Sequence, residues 1–209
     1  KVSLIVLKND FGKSLARGFK EASSKFGINI ASEYEYSIKD RQFGPIVSKV
    51  KSDKPDAIYA TGYFFTAGPL VSQLRAAGVN VPIIGQEGYD SQVFIKIAKK
   101  AAEGVIITTS LDRDSKSKVT QDFIKAFEER AKHKVDMVGA SAHTAVSVAV
   151  AALRKAGIED KAAIRKAISE TSLEASTGKI AFNALGEVKK DVQIQVVKDG
   201  NWRHHSIIS

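Results

Sequence analysis

The sequence contains no cysteine. That excludes disulfides, thiolate metal sites and cysteine nucleophiles, and leaves the compartment open, because exported and internal proteins alike can dispense with cysteine. It also has no unbroken apolar run near the roughly 20 residues needed to cross a bilayer. The longest stretch, Ala145 to Leu153, is interrupted by Ser147 and reaches about half that length, so no membrane span is expected. At the amino end there is neither an initiator Met nor a basic, apolar, small-residue leader pattern, and the chain opens directly in the strand-like run Val2 to Leu7. The expectation is a processed or cut piece of something longer.

Several catalytic signatures are missing as well. No G-x-x-x-x-G-K-[ST] is present to cradle phosphates, and no G-x-S-x-G elbow to present a serine nucleophile. Gly12 and Gly18 lack the spacing of a dinucleotide fingerprint. Asp112 and Asp114 resemble the start of a calcium loop, but its sixth position is Ser117 rather than Gly and its twelfth is Phe123 rather than Glu. Of four histidines, His204 and His205 lie in the final tail, His133 ends a basic helical stretch, and His143 sits between small residues where a packed structural role is expected. No enzyme activity, cofactor or metal is expected.

What is present is an ordinary globular balance: 209 residues, 44% hydrophobic and 26% charged. The net charge of +9 would permit nucleic-acid binding if it were concentrated. It is scattered: Lys20, Lys25, Lys49, Lys51, Lys125, Lys132, Arg154 and Lys166 fall on polar faces of separate helical segments, with no stacking aromatics interleaved. A solvated basic surface is expected, and no nucleic-acid partner.

The first hundred residues alternate two periods. β-rich runs at Val2 to Leu7, Ile28 to Tyr36, Ala57 to Thr61, Val81 to Gly85 and Gly104 to Thr108 alternate with helical patterns at Phe11 to Phe26, Arg41 to Asp53, Thr66 to Ala77 and Ser91 to Ala98. Gly27 and Gly78 stand where helices prefer to stop. Such βαβα repetition predicts a doubly wound parallel sheet with helices on both faces. Ser110 to Ser117 reads as a solvated linker. Helices without strands between them follow at Lys118 to Lys132, Val138 to Lys155 and Lys161 to Ser169, and then a β-like tail from Gly178, with strands near Ile180, Val192 to Val197 and His205 to Ile208.

Ala145, Val148, Ala149, Ala152, Leu153, Ile164 and Ile168 would leave several hundred Å² of apolar surface on these helices, more than a monomer usually exposes. At about 25 cal/mol per Å² that is of order 10 kcal/mol, and no strand is spare to cover it. Further chain or a partner is implied.

In open α/β sheets, ligands bind beyond the carboxyl ends of the strands, where the strand order reverses. With the common order 2-1-3-4-5, the loops leaving strands one, three and four become neighbours. They carry Phe11, then Tyr63 and Phe64, then Glu87 and Tyr89. Aromatic walls around one carboxylate form an acceptor for a ligand ammonium.

The stretches KNDFGKSLARGFKEASSKFG, KPDAIYATGYFFTAGPLVSQLRAAG, VPIIGQEGYDSQVF, AAEGV and TGKIAFNALGEVKKDVQIQVVKDG, in this order, resemble the second half of the leucine/isoleucine/valine-binding proteins, the type 1 periplasmic binding fold of ABC-transporter substrate-binding proteins. Phe11 stands where that family carries an aromatic, usually Tyr, in a KNDYG-like motif. Gly62-Tyr63-Phe64 matches its GYY turn, and Glu87 its acceptor of the ligand's α-ammonium. His143-Thr144 replaces the family's Tyr-Asp in the long helix.

The resemblance implies that residues 1–110 and 178–209 form ligand-binding lobe two, and that 117–172 are helices of lobe one, whose sheet-forming part is absent. It implies an extracytoplasmic solute-binding protein, periplasmic or lipid-anchored outside the cell and made as a signal-peptide precursor. Such a protein binds a small ligand, by the resemblance an amino acid, between its lobes and hands it to a membrane permease. The alternatives are a receptor's ligand-sensing domain on the same fold, and a doubly wound enzyme.

Overall fold

A computed structural model describes residues 1–188 and 190–208. The chain divides into two compact units, 1–108 with 195–202 and 109–194 with 203–209.

The first unit carries the alternating pattern: β1 (Val2–Leu7), α1 (Asp10–Lys25), β2 (Ile30–Tyr36), α2 (Gly44–Asp53), β3 (Ala57–Ala60), α3 (Phe64–Ala76), β4 (Ile83–Gly85), α4 (Gln92–Ala98) and β5 (Ile106–Thr109). The strand order β2-β1-β3-β4-β5 is the expected one, and each of these neighbours pairs in parallel. β1 is apolar almost throughout because a central parallel strand is covered on both faces: Leu4 and Val6 join Ala16 and Tyr59 on one side, Ile5 and Leu7 join the large core on the other. β2 lies at the edge and alternates, keeping Glu33 and Glu35 in solvent. The sheet continues from β5 to β8 (Val192–Lys198) and β9 (Asn201–Ile208). Trp202 packs on Phe94 with centroids 5.6 Å apart.

Gly27 and Gly78 take positive φ just past α1 and α3, as their positions predicted. The second helix begins later than Arg41, at Gly44. Pro45 suits a first helical turn, and the loop before it is held by Gln73, whose Oε1 accepts from Phe43 N at 2.7 Å and whose Nε2 donates to Arg41 O at 2.9 Å.

The second unit contains α5 (Lys118–Ala131), α6 (Met137–Ala156), α7 (Lys161–Ser169) and the antiparallel hairpin β6 (Ser172–Ala175) and β7 (Gly178–Ala181). This hairpin corrects two expectations. Ala175 and Ile180 pack on Val148, with Ile168 and Phe182 alongside, so part of the helical apolar surface is covered from within the chain. For the same reason residues 178–194 group with the helices rather than with the first unit, which takes only 195–202 from the tail. Val146, Val150 and Leu153 stay exposed.

The stretch 110–117 is tied rather than freely solvated. Asp112 Oδ1 accepts from Asp114 N at 3.0 Å, and the Asp114 carboxylate accepts from Arg203 Nη1 at 3.1 Å and His204 N at 2.9 Å. His143 stacks on Phe123 at 4.4 Å and meets Ser176 Oγ at 3.0 Å, a packed position.

By length and composition α6 is long and apolar enough to cross a membrane, against the expectation of no span. Counting unbroken apolar runs misses it, because Ser141, Thr144 and Ser147 are dispersed among small apolar residues. Ala140, Thr144, Val148 and Ala152 are nevertheless buried in this unit. Thr144 Oγ1 hydrogen-bonds Ser176 and Thr177 at 3.1 and 3.0 Å, which is how a helix packed in a globular unit satisfies its polar groups.

Candidate functional site

Three loops leave the carboxyl ends of β1, β3 and β4 and meet. The first begins α1: Asn9 caps the helix by accepting from Gly12 N at 2.8 Å, and Phe11 follows in the first turn. A Cβ on Gly12 would stand 2.2 Å from Leu7 O, so only glycine lets the helix start this close to the strand. The second loop is pinned from below. Leu7 N donates to Thr61 Oγ1 at 2.9 Å, and the Tyr36 hydroxyl donates to Thr61 O at 2.7 Å and lies 3.1 Å from Thr66 Oγ1. Burial pushes the Tyr36 phenol up to about 12. Gly62 turns over that hydroxyl with φ +154, where a Cβ would sit 2.1 Å from the Tyr36 oxygen.

Gln86 joins the third loop to the second. Its side chain is buried; Nε2 donates to Gly62 O at 2.9 Å and Oε1 accepts from Gly88 N at 2.6 Å. A Cβ on Gly88 would lie 2.2 Å from Gly62 O and 3.2 Å from the Phe11 ring. The loop bearing Glu87 is therefore seated against both of the others.

The structure brings Phe11 and Tyr63 face to face, with centroids 5.1 Å apart and planes within 8°. Both rings are half-buried, as is Glu87. No hydrogen-bond or ion-pair partner engages the Glu87 carboxylate among the described residues. Its charge is felt at Tyr59, whose phenol is pushed up to about 12 by burial first and by Glu87 second.

Phe64 is half-buried, packs against the main core as Tyr63 does, and meets Phe65 edge-on at 5.3 Å. The ring that extends the stack is Phe65, 5.7 Å from Tyr63 with 16° between planes. Tyr89 is a correction: it is 0% exposed inside the core, against Phe94, and does not line the rim. The short 3₁₀ turn Glu87–Tyr89 rotates it inward, beneath Gly85, where a Cβ would be 2.5 Å from the Tyr89 ring. Gln86 and Phe65 escaped the sequence reading. A polar residue directly after an apolar strand and a second Phe in the GYFF run were the available signals.

Such a rim can hold an apolar group against two rings and offer a negative charge beside it. A family model described as periplasmic binding protein matches residues 1–201. Leu/Ile/Val-binding protein homolog 3 of Brucella melitensis is 30% identical over 191 residues, which is 90% of this chain and 51% of that protein. The chain thus spans about half the length of the curated relatives it matches. A leucine-binding protein from Thermotoga maritima superposes with a TM-score of 0.88 at 24% identity, over 99% of this chain and 60% of that one. An ABC-transporter solute-binding protein from R. palustris in complex with benzoate superposes with a TM-score of 0.90 at 20% identity, over 99% and 57%. At these identities the two structures establish a shared type 1 periplasmic binding fold, and with the family match across nearly its whole length this chain belongs to the periplasmic binding protein family.

Proposed function

We propose that the chain is part of a periplasmic solute-binding protein that captures a branched-chain or other apolar α-amino acid for an ABC transporter. On this reading the first unit belongs to ligand-binding lobe two and the helices of 117–172 to lobe one, and the remainder of a relative's length supplies the opposing wall of the pocket. Glu87 accepts the ligand's ammonium, while Phe11 and Tyr63 wall its side chain, with Phe64 buttressing them from the core. Lobe closure around the ligand then presents the loaded protein to a membrane permease.

The observation that supports this best is the parallel Phe11–Tyr63 pair seated against the Glu87 loop at the carboxyl ends of adjacent parallel strands. Rings hold an apolar side chain, and an unpaired carboxylate beside them matches an ammonium through charge-assisted hydrogen bonds. The names of relatives point the same way: the Brucella protein is a Leu/Ile/Val-binding homolog and the Thermotoga protein binds leucine. Calorimetry with leucine on the full-length protein tests the reading. Glu87→Gln is expected to weaken binding about tenfold to a hundredfold, the scale of a lost charged hydrogen bond. Unchanged affinity removes Glu87 from the site.

A further inference from the structure

Gln86 follows β4 directly and caps the turn Glu87–Tyr89, yet it is only 1% exposed, so a ligand at the rim does not touch it. Its two partners dictate which end of the amide faces which loop, because Gly62 O can only accept and Gly88 N can only donate. The backbones it joins are themselves close: a Cβ on Gly88 would lie 2.2 Å from Gly62 O and 2.9 Å from Gln86 Oε1. The two loops therefore meet with no side chain between them, and the amide beside the contact holds their separation.

The other flank of the Tyr63 loop is held independently. The Tyr36 hydroxyl donates to Thr61 O, while Thr66 Oγ1 donates to Tyr63 O at 3.0 Å and accepts from Tyr63 N at 3.3 Å. Thr61, Gly62 and Tyr63 are thus gripped from the α3 side by Thr66 and from the β4 side by Gln86.

We propose that Gln86 is a positioning residue of the ligand site: it sets the separation of the Tyr63 wall from the turn that begins at Glu87, and through that spacing the affinity for ligand. This rests on the reading that these two loops hold the ligand, and adds the residue that spaces them. It requires only the two backbone contacts that the amide makes.

A buried amide that serves one acceptor and one donor is matched in shape by a protonated carboxyl and not by a carboxylate. In Gln86→Glu the ionised group still accepts from Gly88 N but turns its other oxygen towards Gly62 O. Once protonated, it can donate to Gly62 O again, and burial favours that form. The spacing of the loops thereby becomes dependent on pH in this variant.

Calorimetry with leucine on the full-length protein at pH 8 and pH 5 tests the proposal, with urea melts showing that each variant is folded at both. Gln86→Glu is expected to bind about tenfold to a hundredfold more weakly than wild type at pH 8 and to recover to within about threefold at pH 5, while wild type changes little. Gln86→Met, which keeps the length and loses both hydrogen bonds, is expected to be weakened alike at both. Wild-type affinity of Gln86→Glu at pH 8, or a loss undiminished at pH 5, overturns the proposal. Should Gln86→Glu not fold at pH 8, Gln86→Met decides: weakened binding sustains the proposal and wild-type affinity overturns it. Glu87→Gln separates the two claims. If it weakens leucine binding while Gln86→Glu does not, only the positioning role fails. If it has no effect while Gln86→Glu shows the pH-dependent loss, the acceptor role of Glu87 fails and the positioning role stands. If wild type binds no leucine, both fail.

Discussion

Phe11 and Tyr63 leave different strands yet lie ring on ring, 5.1 Å apart and 8° from parallel. The contact links the loop that opens α1 to the loop that opens α3, both of which are also held by their own hydrogen bonds. Phe11→Leu keeps apolar bulk but removes the stack, and is expected to weaken ligand binding about threefold to tenfold. A double-mutant cycle with Tyr63→Leu should return a coupling of about 0.5–1.5 kcal/mol, the worth of an aromatic pair beyond its area. Additive losses would mean that the rings act independently.

The Glu87 loop depends on closeness that a side chain would forbid. In Gly88→Ala the new methyl meets backbone, Gly62 O at 2.2 Å, and cannot be relieved by a rotamer change. A loss of about 1–3 kcal/mol of stability is expected, with weakened binding as the loop is displaced. Gly18→Ala in α1 is the contrast, since nothing lies within 4 Å of the new methyl. It should stabilise by about 0.5–1 kcal/mol, the helical preference for Ala over Gly. Urea melts of both variants check the pair; equal effects would refute the packing argument.

Tyr89 and Tyr36 should respond in opposite ways to loss of a hydroxyl. Tyr89 Oη is buried without a hydrogen-bond partner among the described residues. Tyr89→Phe therefore removes a desolvated polar atom, and is expected to be neutral or stabilising by up to about 1 kcal/mol with ligand affinity intact. Tyr36→Phe strands Thr61 O and should cost about 1–3 kcal/mol. Reduced ligand affinity in Tyr89→Phe would return that residue to the site.

Alkaline pH should unfold the protein by a predictable route. Tyr36 and Tyr59 are both pushed from 10.0 up to about 12, and Tyr89 higher still, chiefly by burial. Below pH 10 these phenols are protonated folded or unfolded, and stability does not depend on them. Between pH 10 and about 12 only the unfolded chain releases the protons. Stability then falls by about 1.4 kcal/mol per pH unit for each such tyrosine. Urea midpoints at pH 9, 10 and 11 check the sign. Tyr36→Phe should make the decline shallower, and a midpoint independent of pH across this window would contradict the assignment.

The sequence by itself determined the alternation of strands and helices in the first hundred residues, because hydrophobic period and helix-stopping glycines are local properties. The order β2-β1-β3-β4-β5 is a common arrangement for such alternation but is not dictated by it; given that order, the three loops bearing Phe11, Tyr63 and Glu87 share a rim. Tertiary structure alone decided which neighbour in each loop faces outward. Adjacent residues at a helix start differ by about 100° around the axis. Composition therefore could not tell that Phe65 joins the stack on Tyr63, or that Tyr89 turns into the core two residues after Glu87. The hairpin covering Val148 and the placement of Arg41 over Phe65 were equally out of reach. Both are contacts between segments distant in the chain, and such contacts are settled by packing rather than by local pattern.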